Sequence, residues 1–233
     1  MSISRRHILR ASLTAAGVMI LPGRSLADDE PGVGDVHDIV NVAYGTPPGE
    51  AREELELADA VYFNEVIETD GESALELVFA DESRLTMGEN SSLIIDEFIY
   101  DTASGDGRST LTLTRGAFRY VSGLMPKENI AINTPTMTAG IRGTELVFSV
   151  DDDGQSEMSV IEGEVECRSR VSGRILRVLR RQSALIDRTG KWQGGVRDFV
   201  HEVRSGVNGA NSAKRRATTR THIPAHHFAR AAT

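Results

Sequence analysis

Four groups of residues in this 233-residue chain have types and spacings that could do chemistry. The run Asp151-Asp152-Asp153-Gly154 offers clustered oxygens to a hard cation such as calcium. It lacks the spaced carboxylates and distal glutamate of a calcium loop. Acids closing on a glycine are also what a hairpin turn requires, so an exposed turn is expected. His222, His226 and His227 could chelate a metal, but they sit on a polar, basic tail that offers no fixed geometry. Asp96-Glu97 is a carboxylate pair of the kind glycoside hydrolysis uses. With 21 acids in residues 28–104, a pair there discriminates little. The arginines of 168–181 and the bases of 214–220 could take phosphate or lipid headgroups. Arg177, Arg180 and Arg181 are instead expected to line a solvated strand edge, where charge blocks edge pairing.

The rest of the inventory excludes mechanisms. A single cysteine, Cys167, rules out an intrachain disulfide and a cysteine-clustered metal. It alternates within Glu164-Val165-Glu166-Cys167 and is expected to face the core as a small hydrophobe. Three lysines (Lys127, Lys191, Lys214) make Schiff-base chemistry a poor fit. No histidine lies between 38 and 200, which removes Ser-His-Asp, Cys-His and His-ligated zinc mechanisms from the body. Aromatics are 5% with one tryptophan, Trp192, so no sugar-stacking platform is evident. No glycine-rich phosphate loop precedes a helix. No residue is expected to be catalytic, cofactor-binding or metal-ligating.

The elements that would position any site read as strands. From 55 to 190 the apolar period is two. Leu75-Glu76-Leu77-Val78-Phe79, Arg84-Leu85-Thr86-Met87 and Thr110-Leu111-Thr112-Leu113-Thr114 alternate between turn residues. So do Ala117-Phe118-Arg119-Tyr120-Val121, Asn129-Ile130-Ala131-Ile132-Asn133 and Glu145-Leu146-Val147-Phe148-Ser149-Val150. A strand every 8–12 residues predicts an all-β sandwich, barrel or solenoid, and no long amphipathic helix interrupts it, so βαβ nucleotide folds are excluded. Residues 28–54, with Pro31, Pro47, Pro48 and many acids, are expected to be an acidic, loop-rich lead-in to a β domain over 55–190. Residues 191–207 are expected to form a short helix or extension, with Phe199, Val200, Val203 and Val207 on one side. A disordered basic tail is expected over 208–233.

The chain opens with an address. Ser4-Arg5-Arg6-His7-Ile8-Leu9-Arg10 resembles the twin-arginine export signal, with Arg5 and Arg6 as its pair. An apolar run over 11–21 is too short to span a bilayer, and Ser25-Leu26-Ala27 fits cleavage after Ala27. The expected mature protein starts near Asp28, lies in the bacterial periplasm or outside the cell, and keeps no membrane anchor. Residues 28–104 hold 21 acids against Arg52 and Arg84, whereas 105–233 hold 13 acids against 20 bases. The acidic part disfavours nucleic acid and favours a basic partner or simple solvation.

The turn residues match a family. Thr69-Asp70-Gly71-Glu72-Ser73, then Phe79-Ala80-Asp81-Glu82-Ser83-Arg84-Leu85, then Thr134-Pro135 with Gly140-Ile141-Arg142-Gly143-Thr144, then Glu162-Gly163-Glu164-Val165 resemble the FecR-type domain over roughly 60–190. Glu82 stands where that family usually has glycine, and Glu145-Leu146 stands where an aromatic often follows. The resemblance implies a β-solenoid-like stack of short strands or a twisted sandwich. It marks Thr134, Pro135, Gly140, Arg142, Gly143, Thr144 and Gly163 as mainly structural motif residues. Gly140, Gly143 and Gly163 are expected at turns or close approaches that a side chain would block. Arg142 is expected to bond loop carbonyls or a carboxylate.

In its signalling form the family pairs this domain with a sigma-factor-binding cytoplasmic segment and a membrane helix. Neither is evident here, so the expectation is a stand-alone, non-enzymatic module in signalling or envelope assembly. It would recognise a periplasmic or outer-membrane protein, without nucleic acid or cofactor. The alternatives are a carbohydrate, cell-wall or metal-ion binding module and, less favoured, a carboxylate hydrolase.

Overall fold

Short strands wind alternately between two sheets in the computed structural model, which describes residues 32–142 and 145–198. The chain enters the first sheet as β1 (Gly34–Val40) and crosses to the second for β2 (Ala43–Thr46) and β3 (Glu53–Glu54). It returns to the first for β4 (Ala60–Val61) and crosses again for β5 (Val66–Thr69). A hairpin of β6 (Ala74–Phe79) and β7 (Arg84–Met87) lies in the first sheet, and β8 (Ser92–Tyr100) lies in the second. β9 (Gly107–Val121) serves both: residues 107–115 pair with β8, and residues 116–121 pair with β7 in part and with β12 in full.

Three further hairpins alternate after the 3-10 turn at Lys127–Asn129. They are β10 (Ile130–Asn133) with β11 (Met137–Ile141), β12 (Glu145–Val150) with β13 (Ser156–Glu162), and β14 (Glu164–Ser169) with β15 (Ile175–Leu179). The hairpin of β16 (Gln182–Ile186) and β17 (Trp192–Asp198) closes the first sheet.

The pairings set a linear order in each layer. The first sheet runs β4-β1-β6-β7-β9-β12-β13-β16-β17. The second runs β3-β2-β5-β8-β9-β10-β11-β14-β15, antiparallel except where β10 meets β9. This is the all-β stack that the period of two predicts. Alternate residues of each strand enter one core, as in Glu145–Val150, where Leu146, Phe148 and Val150 are buried and their neighbours half-exposed. Phe79 and Phe98, from opposite sheets, stack at 5.1 Å between ring centroids. Tyr120, Phe118 and Phe148 are the largest fully buried side chains.

Two expectations about the ends are corrected. Residues 34–54 hold three strands: Val36, Ala43 and the adjoining Leu55 are buried among the acids, and β1 and β2 pair with β6 and β5. The prolines Pro47 and Pro48 fall in the connection between β2 and β3, where their missing donors cost nothing. At the other end Trp192–Asp198 is a strand instead of the start of a helix. Its amides pair with β16, and Gly194 (φ +76°) and Gly195 (φ +71°) take left-handed backbone at the register shift opposite Ala184 and Ile186. Residues 199–233, with the remaining apolar positions of the expected helix, His222, His226, His227 and the basic tail, lie outside the described residues. So do the export signal at Arg5 and Arg6 and the cleavage position Ala27.

Candidate interaction site

The motif block begins at the corner between β10 and β11. The Thr134 hydroxyl accepts from the amides of Thr136 (3.3 Å) and Met137 (3.1 Å) and turns the chain. Its Oγ1 lies 2.8 Å from Ser156 Oγ, which is 2.9 Å from Thr136 Oγ1; both of these reach the Gly154 carbonyl. Arg170 donates from Nη1 to the Thr134 carbonyl at 3.0 Å. Pro135 covers Gly154, where an added Cβ would sit 3.2 Å from the proline ring. Thr134 and Pro135 therefore fasten a corner of the second sheet to the β12–β13 hairpin of the first. These hydroxyls are buried and mutually satisfied, so the cluster holds the layers together.

The same device recurs along the stack, at Thr69 and Ser73 of the first motif and at Ser91 and Ser169 outside the motifs. Thr69 donates to the Gly88 carbonyl at 2.6 Å and accepts from the Ser91 amide at 3.0 Å. The Ser91 hydroxyl accepts from the Ala117 amide at 3.1 Å. Near the last turn, Ser169 donates to the Gly190 carbonyl at 2.9 Å. Ser73, the other half of the Thr69 motif, accepts from the Val42 amide at 3.2 Å and so ties in β2. Buried serine and threonine at strand ends were the available signal; what each one fastens was not.

The other motif residues divide. Gly163 has φ +90° and makes the one-residue crossing from β13 to β14. Gly140 does not fit its expectation: it lies inside β11, and a Cβ there would meet only the Glu166 carbonyl, at 3.7 Å. Arg142 is exposed; its amide donates to the Glu164 carbonyl at 3.0 Å, and its guanidinium has no partner among the described residues. Gly143 and Thr144 lie outside the described residues. Glu82 takes the glycine role directly, with φ +65° in the β6–β7 turn. That turn is held by Asp81, whose Oδ1 accepts from the Ser83 amide (3.0 Å) and hydroxyl (2.5 Å). Gly123 passes so close that a Cβ would lie 2.0 Å from the Asp81 carbonyl. Burial, then the nearby Asp81 charge, push the Tyr120 hydroxyl well above its ordinary range, partly offset by a hydrogen bond with Ser83.

The candidate chemistry resolves into structure. Asp151–Asp153 make the β12–β13 hairpin turn: Asp151 Oδ2 accepts from Gln155 Nε2 at 3.0 Å and Asp153 Oδ1 from the Gln155 amide at 3.2 Å. Asp96 is the extra residue at a register shift in β8, while its neighbour Glu97 pairs with Arg108. Cys167 is buried between Ala139 and Leu176 in the ladder. Burial, and secondarily Glu166, push its thiol up to about 12. Arg177, on the edge strand β15, pairs with Glu164 on β14, while Arg180 and Arg181 are exposed in the turn between β15 and β16, so only the first of the three lies on a strand edge.

What remains on the surface is a contrast between the two ends of the stack. The first-strand end carries Asp35, Asp38, Glu53 and Glu54, with Val40 and Leu57 exposed. The last-strand end carries Arg174, Arg177, Arg180, Arg181 and Arg188, with Val171, Ile175 and Leu179 exposed. Among the described residues, β15 pairs only with β14 and β17 only with β16, so both edges are open there. No helix of the described residues is long and apolar enough to cross a membrane.

The described residues thus form a two-layer stack, fastened by buried hydroxyls and ending in open strand edges. Residues 65–166, somewhat less than half of the chain, match the family model described as FecR protein. No curated protein matches the chain. Two crystal structures described as a proposed anti-sigma factor from Parabacteroides distasonis are similar at 15% and 14% identity, with TM-scores of 0.47 and 0.46. The alignments cover 62% of this chain and 64% and 65% of those chains.

Proposed function

We propose that this chain is an exported, non-enzymatic recognition module that binds another protein of the bacterial envelope through a strand edge or sheet face. The observation that carries this reading is a FecR domain whose stack ends in open strand edges flanked by charge and exposed apolar side chains. An open edge offers main-chain donors and acceptors to an added strand, and alternate side chains supply selectivity. The acidic strands at the other end would steer a basic partner and raise its association rate. Export follows from Ser4-Arg5-Arg6-His7-Ile8-Leu9-Arg10 and the Ala27 cleavage position, and supports a periplasmic or extracellular site of action.

In-cell crosslinking of the tagged protein, followed by mass spectrometry of what co-purifies from the envelope, tests the proposal. The expected result is one enriched periplasmic or outer-membrane protein, lost when the acids of 28–104 are neutralised. Only background proteins, recovered with a folded domain, overturn it. Replacing Arg5 and Arg6 with lysine should leave the chain in the cytoplasm; unchanged fractionation removes the export assignment.

A further inference from the structure

Strand order converts the charge asymmetry of the sequence into an electrical polarity of the molecule. Residues 32–61, which form β1–β4, hold seven acids against Arg52, a net of −6. Residues 168–198, which form the end of β14 and all of β15–β17, hold nine bases against Asp187 and Asp198, a net of +7. Seven strand steps separate β1 from β17 in the first sheet, and seven separate β2 from β15 in the second. At about 4.8 Å per step the poles are about 34 Å apart. A Debye length of about 8 Å at physiological salt makes them act independently.

Both poles are cut through the same sandwich, so both present two strand edges at the same interlayer spacing of about 10 Å. β15 and β17 end the basic pole; β3 and the two-residue β4, beside residues 38–40 of β1, which pair only with β6 among the described residues, end the acidic one. Each pole also exposes apolar side chains, Val171, Ile175 and Leu179 on one and Val40 and Leu57 on the other. We propose that the basic pole of one copy of this chain docks on the acidic pole of the next, continuing both sheets. A symmetric pairing of like poles sets like charges against each other, so the contact is head-to-tail. The stack accumulates about 150° of twist over seven steps, so successive copies are related by a screw and the series stays open. A partner that occupies the acidic pole competes with this contact. The inference is independent of the envelope-partner reading, because it concerns the purified protein alone.

Sedimentation velocity of the purified protein up to about 1 mM, the weak end of specific association, tests it at about 0.01 M and about 1 M salt, where screening lengths are about 30 Å and 3 Å. The expected result is mass that rises with concentration at low salt, with association at least tenfold weaker at high salt. Two variants follow: Arg174→Glu with Arg180→Glu at the basic pole, and Asp35→Lys with Glu54→Lys at the acidic pole. Each alone should be monomeric with an unchanged circular dichroism spectrum. Their mixture should associate, because it re-forms one native contact between the unaltered poles. A wild-type monomer at low salt throughout the range overturns the proposal. So does association insensitive to salt and to both variants, or folded variants that fail to associate when mixed.

Discussion

Individual residues of this chain show their constraints through burial and backbone conformation. Cys167 sits in the middle of a ladder with its thiol pushed up to about 12 from an ordinary value of 9.0. It should react with a thiol reagent at pH 8 only on unfolding, so reaction of the native protein at the rate of a free thiol would contradict its burial. The fold favours the protonated thiol, so this contribution is fully present below about 9 and is lost as pH rises toward about 12. Tyr120 acts in the same direction. Glu82 makes a different kind of statement. A side chain held at φ +65° costs about 1 kcal/mol relative to glycine in that region. Glu82→Gly should therefore raise the unfolding free energy by about that amount in a urea titration, and a loss of stability would mean that the glutamate side chain contributes something its backbone does not reveal.

At the scale of elements, β9 is the hinge of the design. One strand of 15 residues pairs in the second sheet and then in the first, and the change occurs at Gly116, with φ +105°. A Cβ at that position would lie 2.1 Å from Ser91 Oγ and 2.5 Å from Ser91 Cα. Gly116→Ala should destabilise the domain by at least about 2 kcal/mol, because backbone would have to move and a buried hydroxyl would lose its partner. Gly140→Ala is the matched comparison: the space is open and the strand is regular, so the change should stay within about 1 kcal/mol and in the stabilising direction. Equal effects in thermal unfolding would refute the distinction. The cross-strand pair Arg119–Glu145 is partly exposed and contributes little, whereas Glu76 is buried beneath Arg84, so removing that arginine would leave a buried carboxylate without its partner.

For the whole molecule, the unit that folds is larger than the stretch that carries the family motifs. β1–β4 precede the matched residues, yet Val36, Leu55 and Val61 belong to the same core as Leu77 and Phe148. Each such side chain stabilises by about 1.5–3 kcal/mol when fully buried. Removing the first four strands thus takes away several kcal/mol out of a typical total of 5–15 kcal/mol, and uncovers β6. A fragment of residues 62–198 should be unfolded or aggregated where 32–198 folds cooperatively; equal melting temperatures for the two would show that the first strands are an appendage.

The sequence by itself determined the layer chemistry of this protein. Its period of two, its β-branched runs and its punctuating turns specify strands with one buried face, because alternation is a local property of the backbone. It also determined that the body has no histidine, a single cysteine and almost no lysine, and where the Thr-Pro corner and the Gly163 crossing fall. Tertiary structure decided the rest. That residues 34–54 are strands depended on Leu77 and its neighbours being there to pair with them, which no window of ten residues contains. Ser91 meets Ala117 across 26 positions, and Arg170 meets Thr134 across 36, so which hydroxyls fasten the sheets was fixed by the winding. The acidic and basic segments were visible in the composition. That they become opposite poles, each with two strand edges, followed only from a strand order in which sequence position maps onto distance along the stack.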